Sequence, residues 1–140
     1  MSRYIEEVIA AHVAIEAWLN QGTGSIEGLM QRFSAEFTMI PINGTRMDQQ
    51  AVSAFFQGSR ASRPGLKIVI DSAAMLAEWH DGAAVIYRET HVLPGKADTA
   101  RWSTALFRQQ EGQISWLHST KRPGYREQTL KKKKAQSKND

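Results

Sequence analysis

Tyr87, Glu89 and His91 alternate along one stretch of the chain, and Trp102 falls where a hairpin partner would meet them. Residues two apart on a β-strand share a face, so a phenol, a carboxylate and an imidazole would project together. On an apolar wall such a carboxylate is desolvated, its pKa rises toward the range useful for proton transfer, and the imidazole could shuttle the proton. The same side chains also suit blander roles, with Glu89 paired to a polar group on a helix, set in water at a rim, or anchoring a bound ligand. Glu89 and His91 are the candidate catalytic pair, and Tyr87 or Trp102 would hold a substrate oxygen or ring.

Trp18, Phe56, Tyr87 and Trp102 could form an aromatic pocket wall or simply fill a core. With Phe37, Thr104 and His118 they are the candidate ligand-binding residues. His12 lies on an apolar stripe, as a core or pocket-wall histidine does, and His80 abuts a turn. No histidine pair has metal-ligand spacing and there is no His-Glu-x-x-His, so no metal is expected. Gly22, Gly24 and Gly28 are spaced one residue too long for a dinucleotide fingerprint and follow no strand, and no serine stands in G-x-S-x-G. The chain has no cysteine, which excludes thiolate chemistry and disulfides. No cofactor is expected.

These residues must be positioned by elements whose periods can be read. Ile5, Val8, Ile9, His12, Ile15 and Leu19 recur every three or four positions, predicting an amphipathic helix over residues 3–20. Ser25 can cap a second helix with Ile26, Leu29, Met30 and Phe33 on its buried face. A short β segment, 37–42, ends at Pro41 and Asn43-Gly44, and Asp48 caps a third helix that stops before Arg63-Pro64-Gly65. The period then changes to two. Four long strands are predicted, 66–80, 83–93, 99–110 and 113–121, joined by Asp81-Gly82, by 94–98 and by Glu111-Gly112. Helices first and an antiparallel meander afterwards define an α+β class.

Pairing estimated from the turns places His91 opposite Ala100 and Glu89 opposite Trp102. One face then carries Ile68, Ile70, Ala74, Leu76, Val85, Tyr87, Glu89, His91, Trp102, Thr104, Leu106 and Leu117, the more apolar set, which the helices should cover. The other carries Met75, Arg101, Ser103, Phe107, Trp116 and His118, and its apolar area suits a homodimer interface. A bulge in the first long strand would exchange its faces midway.

The chain has 140 residues, enough for one domain, and a formal charge of +4. Of 18 Lys and Arg, six lie in residues 126–140 with only two acids, which leaves 12 against 12 in residues 1–125. Residues 1–125 are therefore read as one neutral domain and 126–140 as a basic, disordered tail. Four consecutive lysines attract anions without reading bases, so no specific nucleic-acid partner is expected. The acidic start does not resemble a signal peptide, and no stretch approaches the roughly 20 apolar residues of a membrane span; the expected location is the cytoplasm, with no membrane partner.

Three helices with a β segment between the second and third, a Pro-Gly break and four long strands resemble the cone-shaped fold of the nuclear transport factor 2-like (cystatin-like) superfamily. Ser34-Ala35-Glu36-Phe37-Thr38-Met39-Ile40, Phe55-Phe56, and Arg101 to Arg108 followed by Trp116-Leu117-His118 look like its SnoaL-like branch. The resemblance implies three helices on a strongly curved antiparallel sheet, a pocket between them, frequent homodimers, and functions from isomerase, dehydratase and cyclase chemistry to non-catalytic binding. Ketosteroid isomerases of this fold use a carboxylate base with a tyrosine and a protonated aspartic acid; the strand after the second helix here carries Phe37, Thr38, Met39 and Ile40 and no Asp. The leading expectation is a homodimer binding a small, largely apolar molecule. The alternatives are an isomerase- or dehydratase-like enzyme using Glu89 and His91, and an interaction module with a filled cone.

Overall fold

A computed structural model describes residues 2–124; the 126–140 tail lies outside the described residues. Ser2 opens α1 (Arg3–Gln21) by accepting a hydrogen bond from the Tyr4 amide at 3.1 Å. The helix stops at Gly22, whose φ of 71° is left-handed, and the Gly22 and Thr23 amides return to the carbonyls of Trp18 and Ala17. The second helix, α2 (Ile26–Met30), is shorter than its apolar pattern suggested. Phe33, expected on that helix, instead begins β1 (Phe33–Ile40), which pairs with β2 (Met47–Asp48). Asp48 caps α3 (Gln49–Ser59) by accepting from the Ala51 amide at 2.8 Å.

The four long strands are β3 (Lys67–Trp79), β4 (Gly82–Val92), β5 (Thr99–Gln110) and β6 (Gln113–Pro123). The sheet order is β2-β1-β6-β5-β4-β3. The class is α+β, as expected, but the sheet is mixed, because β1 lies parallel to β6. Parallel pairing needs a long connection, which α3 and the intervening meander supply. Helix α1 crosses the concave side, where Val8, Val52, Phe37, Val85, Tyr87 and Phe107 are each at most 1% exposed.

Two departures from the expected register reassign the faces. Glu89 pairs with Arg101 and His91 with Thr99, one residue away from the expected partners. The reversal is made by Leu93–Lys96, closed by the Lys96 amide on the Leu93 carbonyl with Gly95 at a φ of 75°, and pairing resumes only at Thr99. A one-residue slip turns over a whole strand. Arg101, Ser103, Ala105 and Phe107 therefore face the helices, while Trp102, Thr104 and Leu106 face outward. In β3, an irregularity between Ile70 and Ser72 moves the inward alternation from Ile68 and Ile70 to Ala73 and Met75, so Ala74 and Leu76 are outside. Another, between the Leu106/His118 and Phe107/Trp116 pairs, brings Trp116 into the core, takes up Leu117 and leaves His118 outside. Met75, Phe107 and Trp116, the apolar residues assigned to an exposed interface, thus belong to the core.

Candidate functional site

Between α1, α3, β1 and the concave face lies a cavity of about 610 Å³. Its walls are apolar at one end, with Phe33, Phe37, Met39, Val52 and Phe56, and Phe55 stands half exposed beside them. At the other end a charged cluster is built on alternating strand positions. Tyr87, Glu89 and His91 come from β4, Arg101 and Ser103 from β5, and Ser119 and Lys121 from β6. His12 reaches in from α1, and Arg63 from the segment before β3. That segment is held to α1: the Arg63 amide bonds the Leu19 carbonyl at 2.8 Å, and Asn20 Oδ1 accepts from the Gly65 amide at 2.8 Å.

Glu89 is 3% exposed and occupies the centre of the cluster. Its Oε1 accepts from Lys121 Nζ at 2.6 Å and its Oε2 from His91 Nε2 at 2.8 Å, while His12 Nε2 stands 3.6 Å from Oε1. Burial alone would raise its pKa, the behaviour expected from the sequence. The Lys121 ammonium, with His91 and His12 beside the carboxylate, outweighs burial and holds Glu89 well below the ordinary carboxylate range. Lys121 is the complement: burial works against its charge, but Tyr87 and Glu89 more than offset this and raise its pKa. Its ammonium also donates to Ser103 Oγ at 3.0 Å.

The histidine tautomers follow from their partners. The Val8 carbonyl can only accept, so His12 Nδ1, 2.7 Å away, carries the proton and Nε2 faces Glu89. His91 donates from Nε2 to the carboxylate, which leaves Nδ1 to accept from Arg63 Nη1 at 3.3 Å. Burial, with the charges of Arg101 and Arg63, keeps His91 below its ordinary value. Burial also pushes the Tyr87 phenol up, away from ionisation.

Of the residues singled out from sequence, Phe37, Phe56, Tyr87, Glu89 and His91 line the cavity. Trp18 does not: it is 5% exposed, its Nε1 donates to the Phe56 carbonyl at 2.8 Å, and it joins α1 to α3. Trp102 lies on the outer face under the Arg88 guanidinium, 5.8 Å from the ring centroid, and Thr104 shares that face. His118 bonds Thr38 Oγ1 at 2.7 Å and Thr120 Oγ1 at 2.6 Å, also outside. The register slip in β5 displaced Trp102 and Thr104, whereas His118 stands on the outer face that the sequence pairing gave it, away from the cavity. Sequence reasoning missed Arg63, Arg101 and Lys121. The last two stand two residues from Ser103 and Ser119, so alternation would have found them once the register was known.

Comparison with known proteins agrees with this architecture. No family model matches the chain, and no curated protein matches it. Among solved structures, a protein of unknown function from Pseudomonas putida superposes with a TM-score of 0.70 at 12% identity over 90% of this chain and 87% of that one. The association domain of CaMKII from C. elegans does so with a TM-score of 0.69 at 11% identity, over 86% and 93%. Both show the fold alone. An NTF2-like protein of unknown function from Pseudomonas aeruginosa is 33% identical over 87% of this chain and 98% of its own, with a TM-score of 0.83. At that identity over nearly the whole relative, with the same cone and sheet, this chain belongs to the nuclear transport factor 2-like family.

Proposed function

We propose that this chain binds a small, largely apolar molecule inside the cone. The observation that carries the reading is the cavity: about 610 Å³, within the size range of small-molecule sites, with an aromatic wall facing a compact polar cluster. A cone filled by its own side chains would favour the interaction module instead. Glu89 has both oxygens occupied and is held ionised, which suits fixing the cluster better than moving a proton. The test uses the neutral fluorescent probe N-phenyl-1-naphthylamine. Saturable binding with one site per chain is expected, and Met39→Trp, which places an indole in the cavity, should abolish it. No binding to the wild type, or binding indifferent to Met39→Trp, overturns the reading.

A homodimer through the outer sheet face remains part of the proposal, on different residues from those first expected. Val69 is 46% exposed there, and Ile86, Trp102 and Leu106 continue an apolar band across β4 and β5. Sedimentation should give twice the 15.7 kDa chain mass, and Leu106→Glu should halve it; a monomeric wild type at micromolar concentration refutes the dimer.

A further inference from the structure

The cavity wall carries more positive charge than its own carboxylate neutralises. Among the described residues, Arg63, Arg101 and Lys121 line it together with one acidic residue, Glu89. Glu89 is already engaged by Lys121 and His91. With the histidines left out of the count, three cations against one anion leave a surplus of two. Arg101 stands directly across from Glu89 in the β4–β5 register, yet the carboxylate turns to Lys121 instead. Among the described residues, no carboxylate lies within ion-pair distance of Arg101 or Arg63.

The unused donors are specific. Arg101 Nε is buried without a hydrogen-bond partner among the described residues, and its Nη2 makes only a 3.4 Å contact with Thr99 Oγ1. A buried guanidinium N–H without an acceptor is costly and rarely left so in a native fold. Arg63 has His91 Nδ1 as a neutral acceptor at 3.3 Å and otherwise faces the cavity. Lys121 donates to Glu89 and Ser103, two of the three bonds an ammonium can make. Arg63 Nη1 reaches His91 Nδ1, and Arg101 is the register partner of Glu89, to which His91 is bonded, so both arginines belong to the same end of the cavity.

We propose that the cavity takes an amphipathic molecule bearing a carboxylate, its apolar body against Phe33, Phe37 and Phe56 and its head on Arg101 and Arg63. A guanidinium presents paired N–H donors that match a planar carboxylate, and a ligand of this class satisfies Arg101 Nε while cancelling part of the surplus charge. The cavity corresponds to about twenty water volumes of roughly 30 Å³ each, room for a two-ring aryl acid. The proposal rests on the cavity being a binding site and specifies the charge of what enters it.

The test is calorimetric titration of the full chain with 1-naphthaleneacetate and with its neutral counterpart 1-naphthaleneacetamide, at pH 7 and low salt. The acid should bind about tenfold or more tightly than the amide, the scale of one charge-assisted hydrogen bond. In Arg101→Gln and in Arg63→Gln the ratio should fall toward one, with thermal unfolding confirming that each variant is folded. If Arg101→Gln does not fold, Arg63→Gln carries the test. Equal affinity for acid and amide in the wild type, or a preference surviving in both variants, overturns the charge inference and leaves the cavity reading standing. Binding of neither compound to the wild type overturns both.

Discussion

Replacing Lys121 by Met removes the cation closest to Glu89 while keeping most of the side chain's volume. The two groups meet at 2.6 Å with side-chain exposures of 13% and 4%, so solvent screens the loss very little. Removing one partner of a buried pair costs about 3–5 kcal/mol, because the other charge is left in the interior. His91 still donates to Glu89 at 2.8 Å and His12 remains 3.6 Å away, which places the expected loss near the lower end, about 3 kcal/mol. With an unfolding entropy of about 2.1 cal/mol/K per residue over residues 2–124, this corresponds to a fall in Tm of roughly 12 °C. The assay is urea unfolding at pH 7 followed by circular dichroism, with Glu89→Gln/Lys121→Met measured beside the single variant. The double variant should recover much of the loss, since neither charge remains buried. A single-variant loss under about 1 kcal/mol, or a double variant no more stable than the single one, refutes the view that this pair is a buried, mutually dependent unit.

Acid sensitivity follows from the same cluster. His91 and His118 sit below their ordinary value of 6.5, each chiefly through burial, and Glu89 sits below 4.5 because its partners outweigh burial. Each binds fewer protons folded than unfolded just beneath those values, so stability should be full near neutrality, decline below about pH 6.5 and fall more steeply below about pH 4.5; denaturant midpoints that rise from pH 7 to pH 5 would count against it. At Gly82, an added Cβ would meet the backbone carbonyl of Phe107, which cannot swing aside. Gly82→Ala should therefore cost about 1–3 kcal/mol in chemical denaturation, and a change within about 0.5 kcal/mol, typical of an unconstrained surface site, would show that the sheet yields there.

The elements were legible where one local signal dominated. The stripe from Ile5 to Leu19, the caps Ser25 and Asp48, and the turns at Asp81-Gly82 and Glu111-Gly112 all act within a few residues, and the structure places helices and hairpins there. Tyr87, Glu89 and His91 were found together because strand alternation needs no knowledge of a partner. Their environment was another matter. Glu89 was read as a carboxylate in an apolar hollow, and the residue that fixes its charge, Lys121, arrives from a strand two places away whose face depends on every turn between. The turn after Leu93 and the irregularities in β3 and β6 shift the alternation between one strand and the next, which is why Trp102, Thr104 and Trp116 were placed on the wrong side. The parallel seam between β1 and β6 has no local signature at all.

That seam also bears on the order in which the molecule is made. Thr38 and His118, bonded across it at 2.7 Å, are 80 positions apart, so β1 has only the two-residue β2 beside it until almost the whole described chain is made. While synthesis has reached only β5, the strand edges of β1 and β5 are both bare, an invitation to pair with the wrong chain. Glu89 is already present at that stage and Lys121 is not. Completing the sheet, neutralising its interior carboxylate and closing the wall of the cavity thus coincide in the arrival of one strand, and a nascent chain halted before β6 has no cavity to fill.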